Sequence, residues 1–382
     1  MKRALMMASV ASMISAFNRD NIKILQNLGY QVDIACNFEH GNDSSRERGI
    51  AYRNEVEAQG IKTYQLPVSR SITEIKDIII SYRFMKKICE ENHYDIVHCH
   101  SPIGGVIARL ACRGERKNGT KVVYTAHGFH FYKGAPKKNW LVYYSIEKWV
   151  SRFTDLLITI NKEDYERAQT FKAKRVVYIP GIGVDTGKFR NVEINRTQKR
   201  TELKISEDVV VLLSIGELIE RKNHKTALKA VSNLNSSNYV YLICGEGKLD
   251  SYLKDLTEKL GIENKVRFLG YRRDIPEICV AADIFIFPSY QEGLPVAVME
   301  AMSAGLPIIC SSIRGNTDLI KSELGGFLNQ PEDTMGLAQS IDRLINNHEL
   351  RKKMGDVNSN EAFKYDKKNV NAIMEELYAS LA

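Results

Sequence analysis

The chain has 382 residues, 44% hydrophobic and 26% charged, with nine prolines. One core rarely spans that length, so two domains are expected, and the composition excludes a disordered, collagenous or disulfide-stapled chain. The net charge of +8 is uneven: residues 1–190 carry 30 basic and 19 acidic side chains, against 24 and 27 in residues 191–382. The basic half points to an anionic partner: a phosphorylated substrate, a membrane surface or a nucleic acid.

Lys2 and Arg3 ahead of the apolar stretch 4–17 imitate a secretion signal. Ser9, Ser12 and Ser15 dilute that stretch, and Asn18, Arg19 and Asp20 follow at once. A strand over 2–8, a loop over 9–14, a helix over about 15–28 stopped by Gly29, and a strand over 30–36 fit better. No stretch approaches the roughly 20 apolar residues of a membrane span, so a cytoplasmic protein is expected. Strands follow over 95–99, 121–125, 156–160 and 176–179, with helices over 76–91, 103–113 and 140–152. A polar segment, 186–207, has no apolar period and reads as a linker. The rhythm restarts with strands over 209–215, 240–244, 266–269, 284–288 and 307–311, and helices over 222–234, 248–260 and 295–304. Several strands are continuous apolar runs, as in sheets covered on both faces. The fold class is α/β: two Rossmann-like domains with parallel sheets, ligands binding at the carboxyl ends of the strands. The seven cysteines, Cys36, Cys89, Cys99, Cys112, Cys244, Cys279 and Cys310, are scattered without a CxxC, so buried free thiols are expected.

The most informative stretch follows the strand 284–288: Ser289-Tyr290-Gln291-Glu292-Gly293-Leu294-Pro295, then a helix carrying Glu300 and closed by Gly305. Pro295 suits a first helical turn. The amides of Gly293 and Leu294 at the helix start suit a phosphate. Glu292 can reach sugar hydroxyls, and the two oxygens of Glu300 suit a ribose diol. Upstream, Gly216 allows close ligand approach. Arg221 and Lys222 place two cations at a helix start, where they either bind a diphosphate or are merely solvated.

Glu292 and Glu300 form an EX7E motif inside EGLPVAVMEAMSAGLPII. With the Arg221-Lys222 pair it resembles the donor half of the retaining, GT-B-fold glycosyltransferases of family 4, and the resemblance spans the chain. It implies two sheets facing a central cleft: an acceptor-binding domain over 1–187, a nucleotide-sugar-binding domain over 188–360, and a helix over 361–382 packing back toward the first. It implies that Arg221, Lys222 and the helix start hold the nucleotide diphosphate, Glu300 the ribose and Glu292 the transferred sugar. Tyr271 and Arg272 are expected near the base, which polysaccharide-assembly members suggest is that of UDP. No cofactor or divalent metal is implied. Glu217 stands where many members carry an Arg, which leaves two cations rather than three, and Asp318 where a Glu is common.

In the first half, His127 closes the strand 121–125, and the resemblance puts it beside the sugar, as a hydrogen-bond donor rather than a base. His98 and His100 share a strand face but lack a third metal ligand, so packing or acceptor contact is expected. Lys133, Lys137, Lys138, Trp140, Tyr143, Tyr144, Lys148, Trp149 and Arg152 form a basic aromatic segment, suited to a membrane surface or pyrophosphate but equally to a buried aromatic stripe with solvated lysines. Gly181-Ile182-Gly183 and Gly245-Glu246-Gly247 read as turns, not dinucleotide fingerprints. The expected reaction moves a sugar from a nucleotide sugar to a lipid-pyrophosphate-linked or saccharide acceptor at the inner face of the plasma membrane, in bacterial surface polysaccharide synthesis. Alternatives are a nucleotide-sugar 2-epimerase of the same fold, a dinucleotide-dependent oxidoreductase, and a nucleic-acid binder. The last would leave Glu292 and Glu300 without a purpose, so no nucleic-acid partner is expected.

Overall fold

A computed structural model describes residues 2–40, 46–68 and 71–381. The chain divides into two compact units, Met1–Ile182 with Lys368–Ala382, and Gly183–Lys367.

The first unit holds a seven-stranded sheet in the order β3-β2-β1-β4-β5-β6-β7. Its strands are β1 (Lys2–Val10), β2 (Tyr30–Asn37), β3 (Thr63–Gln65), β4 (Ile96–His100), β5 (Lys121–Ala126), β6 (Leu156–Thr159) and β7 (Arg175–Tyr178). Every pairing is parallel. β1 is buried from Ala4 to Val10, as its unbroken apolar run requires of a strand covered on both faces. The second unit holds a parallel six-stranded sheet in the order β10-β9-β8-β11-β12-β13. Its strands are β8 (Val210–Ile215), β9 (Tyr239–Cys244), β10 (Val266–Gly270), β11 (Ile284–Phe287), β12 (Ile308–Ser311) and β13 (Gly326–Asn329). In each sheet the strand order reverses once, between β1 and β4 and between β8 and β11. That switch point is where open α/β sheets bind ligands. All seven cysteines are free and buried. Among the described residues no helix is long and apolar enough to cross a membrane.

Three segments differ from the sequence reading. The expected loop over 9–14 is the end of β1 and the helix Ala11–Phe17. A second helix, Arg19–Asn27, follows a break at buried Asn18, whose side-chain amide donates to Met13 O (3.2 Å). The expected linker 186–207 contains two helices, Thr186–Arg190 and Arg196–Glu202, the latter opened by a capping box between Asn195 and Gln198. Arg200, fully buried, pairs with Asp283 (2.7 Å) and donates to the carbonyls of Ser206, Glu207 and Val209. This segment is therefore core of the second unit, and the chain enters that unit at Gly183. The helix expected over 140–152 is a π-turn, Trp140–Tyr144, leading into Ser145–Val150.

Candidate active site

The second unit gathers most of the expected residues at its switch point. After β8 the backbone bends at Gly216, whose N–H donates to Cys244 O (3.0 Å). Gly245 has φ +150, and a Cβ there would lie 1.9 Å from Gly216 O. Only glycine permits that approach, so this turn and the one at Gly216 fix each other. A 3-10 turn, Glu220–Lys222, then presents Arg221 and Lys222. Asn223, left-handed at φ 56, starts the helix His224–Ser232. Its amide donates to Pro288 O (2.9 Å) and Pro331 O (2.8 Å), which ties the cationic turn to the end of β11.

Glu292 lies in the loop after β11 and is nearly buried. Its Oε1 accepts from Arg221 Nη1 (2.9 Å) and Lys222 Nζ (2.8 Å). Among the described residues Oε2 has no partner. One carboxylate oxygen therefore gathers both cations, and the other is left to accept from a ligand. Lys222 also sits over the Phe287 ring (4.7 Å). The loop is braced by two residues the sequence reading did not single out. Arg314 Nε donates to Glu292 O (3.1 Å), and Gly315, at φ +82, passes so close that a Cβ would meet Gly293 O at 2.3 Å. The Arg-Gly pair just beyond β12 was the available signal. Glu217 is exposed and makes no ion pair among the described residues.

The helix after the loop is Val296–Ser303, with Pro295 as its N-cap. Gly293 and Leu294 thus lie in the bend before the helix, with Leu294 buried, and the helix-end amides begin at Val296. The expected start was one residue early because Pro is permitted on either side of that boundary. Glu300, on this helix, has no hydrogen-bond or ion-pair partner among the described residues. Burial pushes its carboxyl up to about 7, with the Lys188 charge opposing. Tyr271 and Arg272 follow the edge strand β10, one strand beyond β9 from this cluster. Tyr271 is exposed, and Arg272 is turned onto Asp274 (2.8 Å), which also takes Lys199 (2.7 Å).

The first unit has its own cluster at the ends of β1, β4 and β5. The His98 and His100 rings lie 4.2 Å apart on one face of β4. His98 contacts Tyr378 Oη (2.6 Å) and Thr125 Oγ1 (2.8 Å) and is wholly buried, the packing role foreseen for it. His100 places Nε2 3.2 Å from Met6 Sδ and Nδ1 3.1 Å from His127 Nε2. A thioether can only accept, so the His100 proton belongs on Nε2. His100 Nδ1 then accepts from His127 Nε2–H, and His127 keeps Nδ1 as an acceptor. Burial holds His98 at about 3 and His127 at about 4, so both are neutral near pH 7. The sequence reading made His127 a donor; its proton is instead spent on His100. Among the described residues no three His, Cys, Asp or Glu side chains could hold a metal ion together.

A glycosyl transferase 4-like family model matches residues 7–161, and a model described as glycosyl transferases group 1 matches residues 195–360. EpsD of Bacillus subtilis, named as a glycosyltransferase, is 36% identical over 384 residues, covering 99% of this chain and 97% of EpsD. The chain belongs to the group 1, family 4-like glycosyltransferases. Another relative of this glycosyltransferase, from Escherichia coli, is named UDP-Gal:alpha-D-GlcNAc-diphosphoundecaprenol alpha-1,3-galactosyltransferase. It is 33% identical over 287 residues, covering 73% of this chain and 72% of its own. Among solved structures, Anabaena HepE in complex with UDP superposes with TM-score 0.78 at 19% identity, over 100% of both chains. That likeness establishes the GT-B fold.

Proposed function

We propose that this glycosyltransferase moves a sugar from a UDP-sugar, with retention of configuration, to a lipid-diphosphate-linked or saccharide acceptor. The setting proposed is surface polysaccharide assembly at the inner membrane face. The carrying observation is the placement of Glu292 Oε1 against both Arg221 and Lys222 with Oε2 unpartnered. A sugar hydroxyl bonded to Oε2 would set the adjoining diphosphate beside the two cations. As the bond from the anomeric carbon to the leaving phosphate oxygen breaks, charge grows on that oxygen, and preplaced cations stabilise it. The acceptor oxygen bonds to the same face of the carbon, and its proton passes to the leaving phosphate. Glu292 orients the sugar and Glu300 takes the ribose diol; in the first unit, His127 keeps Nδ1 as an acceptor for a hydroxyl. Arg221 and Lys222, rather than a divalent metal, are the groups proposed to face the diphosphate. The names of the galactosyltransferase and of HepE in complex with UDP support the nucleotide and the lipid-linked acceptor.

The test is a panel of UDP- and GDP-sugars, each scored for hydrolysis and for thermal stabilisation. Stabilisation by one UDP-sugar, unaffected by chelator, is expected. Stabilisation by GDP-sugars alone, or conversion of the donor to its epimer without acceptor, overturns the reading. Glu292→Gln is expected to lose transfer at least about 100-fold, on the scale of removing a transition-state contact; full activity would remove Glu292 from the mechanism.

A further inference from the structure

The first unit contains a cavity of about 220 Å³ that the chemistry above leaves unused. Its lining includes Gly128, the residue after His127, and Phe129. Its walls come from Ile103, Val106 and Ile107 on the helix Pro102–Ala111, and its rim from Ile72 and Ile146, which are 44% and 40% exposed. The cavity therefore reaches from exposed side chains to the residue next to His127. The acid in its wall, Glu147, is spent: Arg109 grips both oxygens (2.8 and 2.9 Å), and the same guanidinium lies on the Tyr124 ring (4.0 Å). So paired, it offers little to a sugar or a nucleotide, whose hydroxyls would go unsatisfied here.

Beyond the rim the apolar character continues. The helix Ile75–Asn92 exposes Ile75, Ile79, Ile80 and Phe84, and the Trp140–Val150 segment exposes Leu141 and Trp149. Exposed apolar groups gathered in this way on a water-facing surface mark a binding site. Exposed lysines lie near the second segment in sequence: Lys133, Lys137, Lys138 and Lys148. Residues 101–150 hold nine basic and two acidic side chains, and one of the two acids is the paired Glu147. The ligand that matches is apolar at one end and anionic at the other.

We infer that this cavity seats the first isoprene units of a polyprenyl diphosphate, the lipid carrier of the acceptor. The inference rests on the lipid-linked acceptor proposed above. The cavity is short, so only the units next to the diphosphate enter it, and the remainder of the chain stays with the exposed isoleucines and Trp149 or in the bilayer. Such a seat distinguishes a lipid-linked acceptor from a free saccharide of the same sugar sequence.

The experiment measures binding of inorganic diphosphate and of geranyl, farnesyl and geranylgeranyl diphosphate to the full chain in detergent-free buffer. Affinity is expected to rise at least tenfold from inorganic diphosphate to farnesyl diphosphate and then to level off. Val106→Trp, which fills the cavity, and Ile146→Asp, which charges its exposed rim and is the variant safer for folding, should each weaken farnesyl diphosphate tenfold or more. Hydrolysis of the UDP-sugar should be unchanged in both. Three results overturn the inference: binding indifferent to the prenyl chain; variants that bind farnesyl diphosphate as the wild type does; or Ile146→Asp splitting a dimer, or releasing anionic vesicles, without altering prenyl affinity. Failure of the underlying functional reading registers separately, as a wild-type protein that neither hydrolyses nor is stabilised by any UDP-sugar.

Discussion

Glu300 carries a carboxyl raised by burial to about 7 and no partner to repay it. A carboxyl whose folded value lies above its unfolded value of 4.5 favours folding in its protonated form. Its contribution is intact below about pH 4.5 and is lost as pH rises through 7, a difference of about 3 kcal/mol at most. Glu300→Gln removes that titration. We expect the variant to equal wild type near pH 4.5 and to melt higher by pH 8, while binding UDP less well. Parallel melting curves across that range would show that the carboxyl is not desolvated. Met6 gives a second test. Met6→Leu keeps the volume at a cost below about 1.5 kcal/mol but removes the acceptor that holds the His100 proton on Nε2. Imidazole 15N shifts should then report mixed tautomers at His100 and His127, with acceptor KM raised; unchanged shifts would mean the sulfur sets nothing. Glu292, Arg221 and Lys222 were legible because their chemistry is carried by short motifs. Met6 was not, since its meaning depends on His100, 94 residues away, and nothing in an apolar strand marks one methionine as an acceptor.

The segments that resisted reading show no apolar period. Arg196–Glu202 is polar throughout, yet Lys199 and Arg200 are buried. Their charges are matched by Asp274 and Asp283, about 80 residues on, and an ion-paired helix face has no apolar period to detect. β3 is three half-buried residues and β13 runs from Gly326 to Asn329, only its first two residues buried, so neither shows a continuous apolar run. The long parallel strands, with their unbroken apolar runs, were legible within a residue or two. Gly315 shows how loops after strands depend on one another. Gly315→Ala must either strain a left-handed backbone or push Gly293 away, since the added Cβ would meet its carbonyl at 2.3 Å. A loss of roughly 1–3 kcal/mol is expected, together with weakened UDP-sugar binding. Calorimetry and donor titration check the two effects, and unaltered donor affinity would show that the 289–295 loop needs no brace.

At the scale of the whole chain, the segment after Lys367 belongs with the first unit. On the helix Lys367–Ala379, Val370, Met374, Leu377 and Tyr378 are buried, and Tyr378 reaches His98. Truncation after residue 367 should uncover the surface that those side chains pack against and destabilise the first unit while sparing the second. Two thermal transitions are expected, only the first moving down; a single unshifted transition would place the helix outside the first unit's core. Two Rossmann-like domains and a returning helix were legible in the sequence. The boundary was placed a few residues late, because polarity at 186–207 resembled a linker. This topology also bears on vectorial synthesis. The ribosome begins the first unit first, but the second, Gly183–Lys367, is one continuous stretch and has fully emerged before the helix that finishes its neighbour. Nascent residues 1–182 must therefore wait, with the His98 side of β4 uncovered, while some 185 residues are made, or roughly 10–40 s at ordinary elongation rates. The half that starts last is the half that can finish first.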